Sequence, residues 1–293
     1  MTMRWTASLL LGAAALAGCS ANATNPKDAE NTEARRSGNQ PQQDSTRLEM
    51  PPYPSPETWQ HASERQRQRA ARSFEQLKRR KVPVYQGPLM VEDDEEATLQ
   101  SPQDVARRTL VLWAVELRAE GVAQEETLAI INRLDLWGSV SPEEERFLRD
   151  PDPDSEECER LVWRLESISV LLWALGYIDR LEWPNRMTDG AKIAKILAPR
   201  EDNPEFITGA KLRSKAEILD AQDLMMRTHW AIRDALLHRG GMIPEDLDWS
   251  QDEDWIPVTM SAAVGIVEQR HYVLNWLVKF LDPEDWDHVD TPT

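Results

Sequence analysis

From about residue 100 onward, apolar residues recur at steps of three and four, and each run is bracketed by helix-start and helix-stop residues. That pattern leaves little room for a sheet. Alternation of apolar and polar residues never lasts more than a few positions, and no repeat period emerges. "SPQDVARRTLVLWAVELRAEG" starts on Ser101 and Pro102, lines up Ala106, Leu110, Trp113 and Leu117, and stops at Gly121. In "SPEEERFLRD", Ser141 and Glu144 form a capping box with Pro142 at the first helical position. "SEECERLVWRLESISVLLWALGYI" reads as one long helix carrying Leu161, Leu165, Ile168, Leu172 and Leu175. A second capping box, Ser214 and Glu217, opens a helix that ends at Gly240, and a last helix is expected from about Pro257 to Leu281. The fold class is therefore all-α, a single compact multi-helix domain of about 200 residues.

The N-terminus obeys different rules. Arg4 is the only charge in the first 18 residues, an apolar run follows it, and the segment closes on Leu16-Ala17-Gly18-Cys19. The run is about 12 residues, against the roughly 20 that a spanning helix needs, so residues 1–18 read as a signal peptide. Leu-Ala-Gly-Cys resembles the bacterial lipobox, which implies that Cys19 becomes the acylated first residue of the mature chain. The implied partner is a lipid bilayer, held through acyl chains such as palmitate, since more than one chain suffices for stable anchoring. Ser20, where inner-membrane lipoproteins carry Asp, favours the outer membrane with the domain facing the periplasm. Cys19 and Cys158 are the only cysteines, so lipidation leaves no pair for an internal disulfide. Cys158 sits among acids, which raise rather than lower a thiol pKa.

Residues 19–55 are rich in Asn, Gln, Ser, Pro and charge, and read as a disordered tether. Residues 56–81 form a basic helix expected to start at Ser55 and Pro56; positions 57–81 carry eight Lys or Arg against three Glu. The remainder, 82–293, holds 21 basic and 43 acidic residues within a chain of net charge −17. The basic helix is expected either to meet an anionic surface or to dock on its own acidic domain. A domain this acidic repels phosphate backbones, so nucleic acid is excluded as a partner. Twelve Trp are present, expected at helix junctions, or alternatively as an exposed carbohydrate platform.

Two helices carry polar residues inside their apolar stripes. Ile218, Gln222, Met225, His229, Ile232 and Leu236 share one face, and Val264, Val267, His271, Leu274, Val278 and Leu281 share another. Buried charge needs a partner, so Arg233, Asp234, Glu268 and Arg270 are expected to pair with one another or with Glu166. Pro283 forbids helix beyond it, and Trp286 and Val289 are expected to bring the tail back over this cluster, with Asp287 and Asp290 facing Arg227, Arg233 or Arg270. The candidate binding cluster is thus Arg227, His229, Trp230, Arg233, Asp234, Glu268, Arg270, His271, Asn275, Trp286, Asp287 and Asp290. It reads as a register-setting polar network, as a ligand or partner pocket rimmed by Trp230, Trp276 and Trp286, or as a metal or hydrolytic site. Glu268-x-x-His271 has the spacing of a dimetal half-site, but no second E-x-x-H exists. No cofactor or bound metal is called for.

Six segments, from "SPQDVARRTLVLWAVELRAEG" through "ILDAQDLMMRTHWAIRDA" and "IVEQRHYVLNWL" to "WDHVDTPT", resemble in order and spacing the DUF4272 family, bacterial domains of unknown function. The likeness covers roughly residues 70–293, and its most specific motifs are R-x-H-W-x-x-R-D, E-x-R-H-x-x-L-N-W and W-D-x-V-x-T-x-T. The resemblance implies no reaction. The sequence points to a membrane-anchored, non-enzymatic binding or interaction module with a possible envelope-protein partner; the alternative is a metal-dependent or hydrolytic enzyme using Glu268, His271 and His229.

Overall fold

The structure is a computed structural model and describes residues 51–250, 262–281 and 285–293. The signal peptide, Cys19, nearly all of the tether, and the expected start of the last helix near Pro257 lie outside the described residues. Ten α-helices and three short 3₁₀ turns make up the described part, and no strand occurs among the described residues. The helices are α1 (Glu64–Arg79), α2 (Pro102–Ala119), α3 (Gln124–Arg133), α4 (Pro142–Arg149), α5 (Ser155–Leu161), α6 (Arg164–Ala174), α7 (Gly190–Leu197), α8 (Glu205–Thr208), α9 (Lys215–His238) and α10 (Ala262–Leu277). They pack as one compact unit over Pro52–Thr293.

Helix starts follow local chemistry. Ser141 and Ser214 each accept a hydrogen bond from the backbone three residues on, and the carboxylates of Glu144 and Glu217 accept one from the cap backbone amide. These reciprocal bonds satisfy amides that a helix N-terminus leaves orphaned. The basic helix starts later than expected. Pro56–Thr58 is only a 3₁₀ turn, and α1 begins after Ser63, which forms a capping box with Gln66. Gly121 follows α2 with φ of +88°, a conformation that costs a residue with a Cβ.

α2 and α6 are central. From Val105 to Leu117 only Arg107 escapes full burial on α2, and Glu166 to Leu175 are all buried on α6. α6 packs on α2 and on α10, α10 packs on α9, and α9 carries α1, while α3, α4, α5 and α8 surround α2. The apolar side of α1, Ala70, Phe74 and Leu77, enters the same core. Its charges meet acids of the domain: Arg72 pairs with Asp220 at 2.6 Å, and Arg69 pairs with Asp94 and, at 3.3 Å, with Asp220. The helix set apart by its charge is thus docked on its own acidic domain.

The expected long helix from Ser155 is two helices. Val162 and Trp163 keep helical angles, but the amides of Leu165 and Glu166 bond three residues back instead of four, which tightens the chain between the two helices. The step sets the Trp163 ring against α10 at Gly265, where a Cβ would lie 3.0 Å from the indole. Any larger residue there would have to push the indole aside by a few tenths of an ångström. The stripes on α9 and α10 also end early, because Leu236 and Leu281 are exposed. No described Trp is exposed, which removes the carbohydrate platform for the described residues.

Candidate functional site

α9 and α10 run against each other along their polar-bearing stripes. His229 Nδ1 and His271 Nδ1 lie 2.9 Å apart, with ring centroids 5.2 Å apart and planes at 89°. One ring must donate Nδ1–H while the other accepts, so the accepting ring is a neutral imidazole protonated on Nε2. Their surroundings enforce neutrality. Burial, helped by the Arg233 charge, lowers the His229 pKa to about 4, and burial with the neighbouring His229 lowers His271 to about 3. Beside them, Gln222 Nε2 donates to Asn275 Oδ1 at 2.9 Å, and Asn275 Nδ2 donates to the backbone carbonyl of Asp290 at 2.8 Å. An amide on each helix therefore sets the register and ties the C-terminal tail to it.

Arg227 lies on the side of α9 that faces α1. Its guanidinium donates two hydrogen bonds to Asp223, one turn earlier, at 2.9 Å each, and stacks 4.7 Å over Phe74. Ser73 of α1 donates to the same carboxylate at 2.5 Å. Arg270 turns to α6, where its Nε and Nη2 reach Glu166 at 3.0 and 2.9 Å, and its Nη1 donates to the carbonyl of Glu182 at 2.7 Å. Thr188 completes that carboxylate with its amide at 2.6 Å and its hydroxyl at 2.9 Å. Both ion pairs are sealed from water and each acid has a further donor, the condition under which buried charge is tolerated.

The tail folds back onto α10 as expected, but its acids take other partners than expected. Trp286, 1% exposed, packs edge-on against Tyr272 and Trp276, with the guanidinium carbons of Arg108 and Arg164 4.8 and 5.3 Å from its ring. Asp287 meets none of Arg227, Arg233 or Arg270. It accepts from Ser141 Oγ at 2.7 Å and the Glu143 amide at 3.0 Å, at the start of α4. Free amides and the positive end of a helix dipole attract a carboxylate, and α4 offers both. Asp290 is exposed and contributes only its backbone carbonyl. Arg108 grips Glu144 through Nη1 at 2.7 and 2.6 Å, joining α2, α4 and the tail.

Of the polar residues expected to converge, only pairs meet. Arg270 finds Glu166 as expected, while Arg233 and Glu268 are exposed. Asp234 pairs with Arg239 at 2.6 Å and His238 at 3.3 Å instead of entering the cluster. Trp230 is half-buried and packs on Tyr85, 5.8 Å between centroids. Glu268 and His271 therefore do not share one site, and no group of three or more His, Cys, Asp or Glu able to hold a metal occurs among the described residues. Cys158 is half-buried, and burial pushes its thiol pKa up. Asp223, Ser73, Arg108 and Thr188 take part without having been singled out in sequence; the i, i+4 spacing of Asp223 to Arg227 is the one local signal for them.

Fold and site together define an all-α domain whose motif side chains join neighbouring helices from within. The chain belongs to the family described as Domain of unknown function (DUF4272), whose family model matches residues 69–289. The match begins inside α1 and ends on the tail, so it takes in the C-terminal part of the docked basic helix and the tail as far as Val289. No curated protein and no solved structure matches the chain.

Proposed function

We propose that this protein is a periplasm-facing lipoprotein, held at the outer membrane by acyl chains on Cys19, whose all-α domain is a non-enzymatic binding or interaction module. One observation carries the second half of this reading. The motif residues with chemistry to offer, Arg227, His229, Arg270 and His271, are each at most 5% exposed and are bonded to protein groups. A general base or nucleophile must come within hydrogen-bond reach of a substrate, and these groups have no open side to present. On this reading, recognition falls to the outer surface of the domain. Support for the anchor is the Leu16–Cys19 sequence, the polar tether after it, and the fact that no described helix is long and apolar enough to cross a membrane.

Both halves are open to direct test. Acyl labelling and membrane fractionation of the full chain should be lost in Cys19→Ser; retained labelling would overturn the lipid anchor. Purified full-length protein should contain no stoichiometric zinc or iron and should retain a saturable envelope partner. A stoichiometric metal, or turnover of a substrate that is lost on substitution of His271, would overturn the non-enzymatic reading.

A further inference from the structure

A cleft of about 440 Å³ opens where the C-terminal end of α1, the first half of α9 and the segment 180–184 meet, with Asp248 on its edge. That volume lies within the range of small-molecule sites, roughly 300–1,000 Å³. Its apolar wall is Leu181, Leu224, Met225 and Pro184, beside the indole of Trp183. Trp183 is fixed in place, since its Nε1 donates to the carbonyl of Asp246 at 3.1 Å.

Three guanidinium groups from two separate segments line the same cleft: Arg79 and Arg80 at the end of α1, and Arg180 after α6. Four of the buried arginines, Arg69, Arg108, Arg227 and Arg270, each hold a carboxylate. The cleft arginines are differently placed. Arg80 lies over the Trp183 ring at 4.5 Å and only approaches Asp248, at 4.0 Å. Arg180 pairs at 2.9 Å with Glu182, two residues away, but the two side chains are 78% and 69% exposed, so the pair holds neither firmly. Arg79 is exposed and forms no ion pair with a described residue. Counting Glu182 and Asp248, three positive groups face two negative ones, a local excess of positive charge on a chain of net charge −17.

We propose that this cleft binds a small molecule in which an anionic group, phosphate or carboxylate, is joined to a flat apolar body. Planar guanidinium groups match such anions with paired hydrogen bonds. The Arg80–Trp183 stack offers a flat surface for the body, and Met225 adapts to its outline. The assignment rests on reading the domain as a binding module, and it names the ligand class of that module.

Calorimetric titration of the full-length protein with phenyl phosphate tests it, with inorganic phosphate and benzyl alcohol as the two half-ligands. Phenyl phosphate should bind saturably at one site and at least about tenfold more tightly than either half. Arg180→Gln and Arg79→Gln should each weaken it about tenfold, the effect of one lost charge-assisted hydrogen bond. Both side chains are exposed, so an unchanged melting temperature separates a lost contact from a lost fold. Absence of saturable binding, wild-type affinity in both variants, or inorganic phosphate binding as tightly as phenyl phosphate would each overturn the assignment. Competition by a short-chain phosphatidic acid below its micellar concentration identifies a lipid headgroup as the natural anion, and failure to compete identifies a soluble ester. Phosphate release during the titration would sink the non-enzymatic reading while leaving the binding site in place.

Discussion

His229 and His271 share a single hydrogen bond between their Nδ1 atoms, 2.9 Å long, at the buried contact of α9 and α10. Burial holds both rings neutral, and each makes the core sensitive to acid.

Their folded pKa values, about 4 and about 3, lie below the ordinary 6.5. Between those limits the unfolded chain takes up protons that the folded one refuses. Stability is therefore complete above about pH 6.5 and falls as pH drops toward 3, by several kcal/mol for two such groups. Urea denaturation at pH 7 and pH 4.5 should show the loss, and His229→Leu/His271→Leu should show a smaller one. An equal loss in the double variant would assign the acid sensitivity to other groups.

Glu116 behaves oppositely. Burial inside α2, with Glu120 one turn on, raises its carboxyl pKa to about 8. A folded pKa above the unfolded value means that the contribution is fully present below about pH 4.5 and is lost as pH rises through 8. Glu116→Gln should raise stability by up to a few kcal/mol at pH 8.5 and leave it nearly unchanged at pH 4. Thermal melts at the two pH values decide it, and a variant no more stable at pH 8.5 than the parent would contradict the shift.

Breaking the Glu166–Arg270 pair should be severe. Arg270→Met leaves a carboxylate buried without its cation, a loss of about 3–5 kcal/mol. Glu166→Leu/Arg270→Met removes both charges and should recover most of that. Denaturant midpoints for the two single variants and the double give the coupling directly, and additive losses would mean that the pair carries none.

Truncation after residue 284 removes Trp286 from its pocket and Asp287 from the start of α4. Loss of a buried Trp typically costs about 3–5 kcal/mol, a large share of the roughly 5–15 a domain holds. Scanning calorimetry should show a drop of many degrees in Tm. A truncated chain that melts with the parent would show that the tail contributes nothing.

Helix starts at Ser141 and Ser214 were legible in the amino-acid sequence because a capping box involves residues three apart, and nothing distant competes with it. The all-α class and the burial of His229 and His271 were legible for the same reason, since helical spacing is a property of the nearest turn. Tertiary structure alone decided the rest. Glu268 and His271 are three residues apart and share a side of the helix by spacing, yet one meets solvent and the other meets α9, because only the packed neighbour marks where the buried face ends. Trp163, at the step between α5 and α6, packs closely on Gly265, a hundred residues along the chain, and spacing within either helix does not announce that contact. Asp287 goes to α4 instead of to an arginine of α9 or α10 because unsatisfied helix amides lie within its reach there, whereas Arg227 and Arg270 already hold Asp223 and Glu166. Which partner a charge takes depends on which partners are already taken, and that is known only once the whole chain has packed.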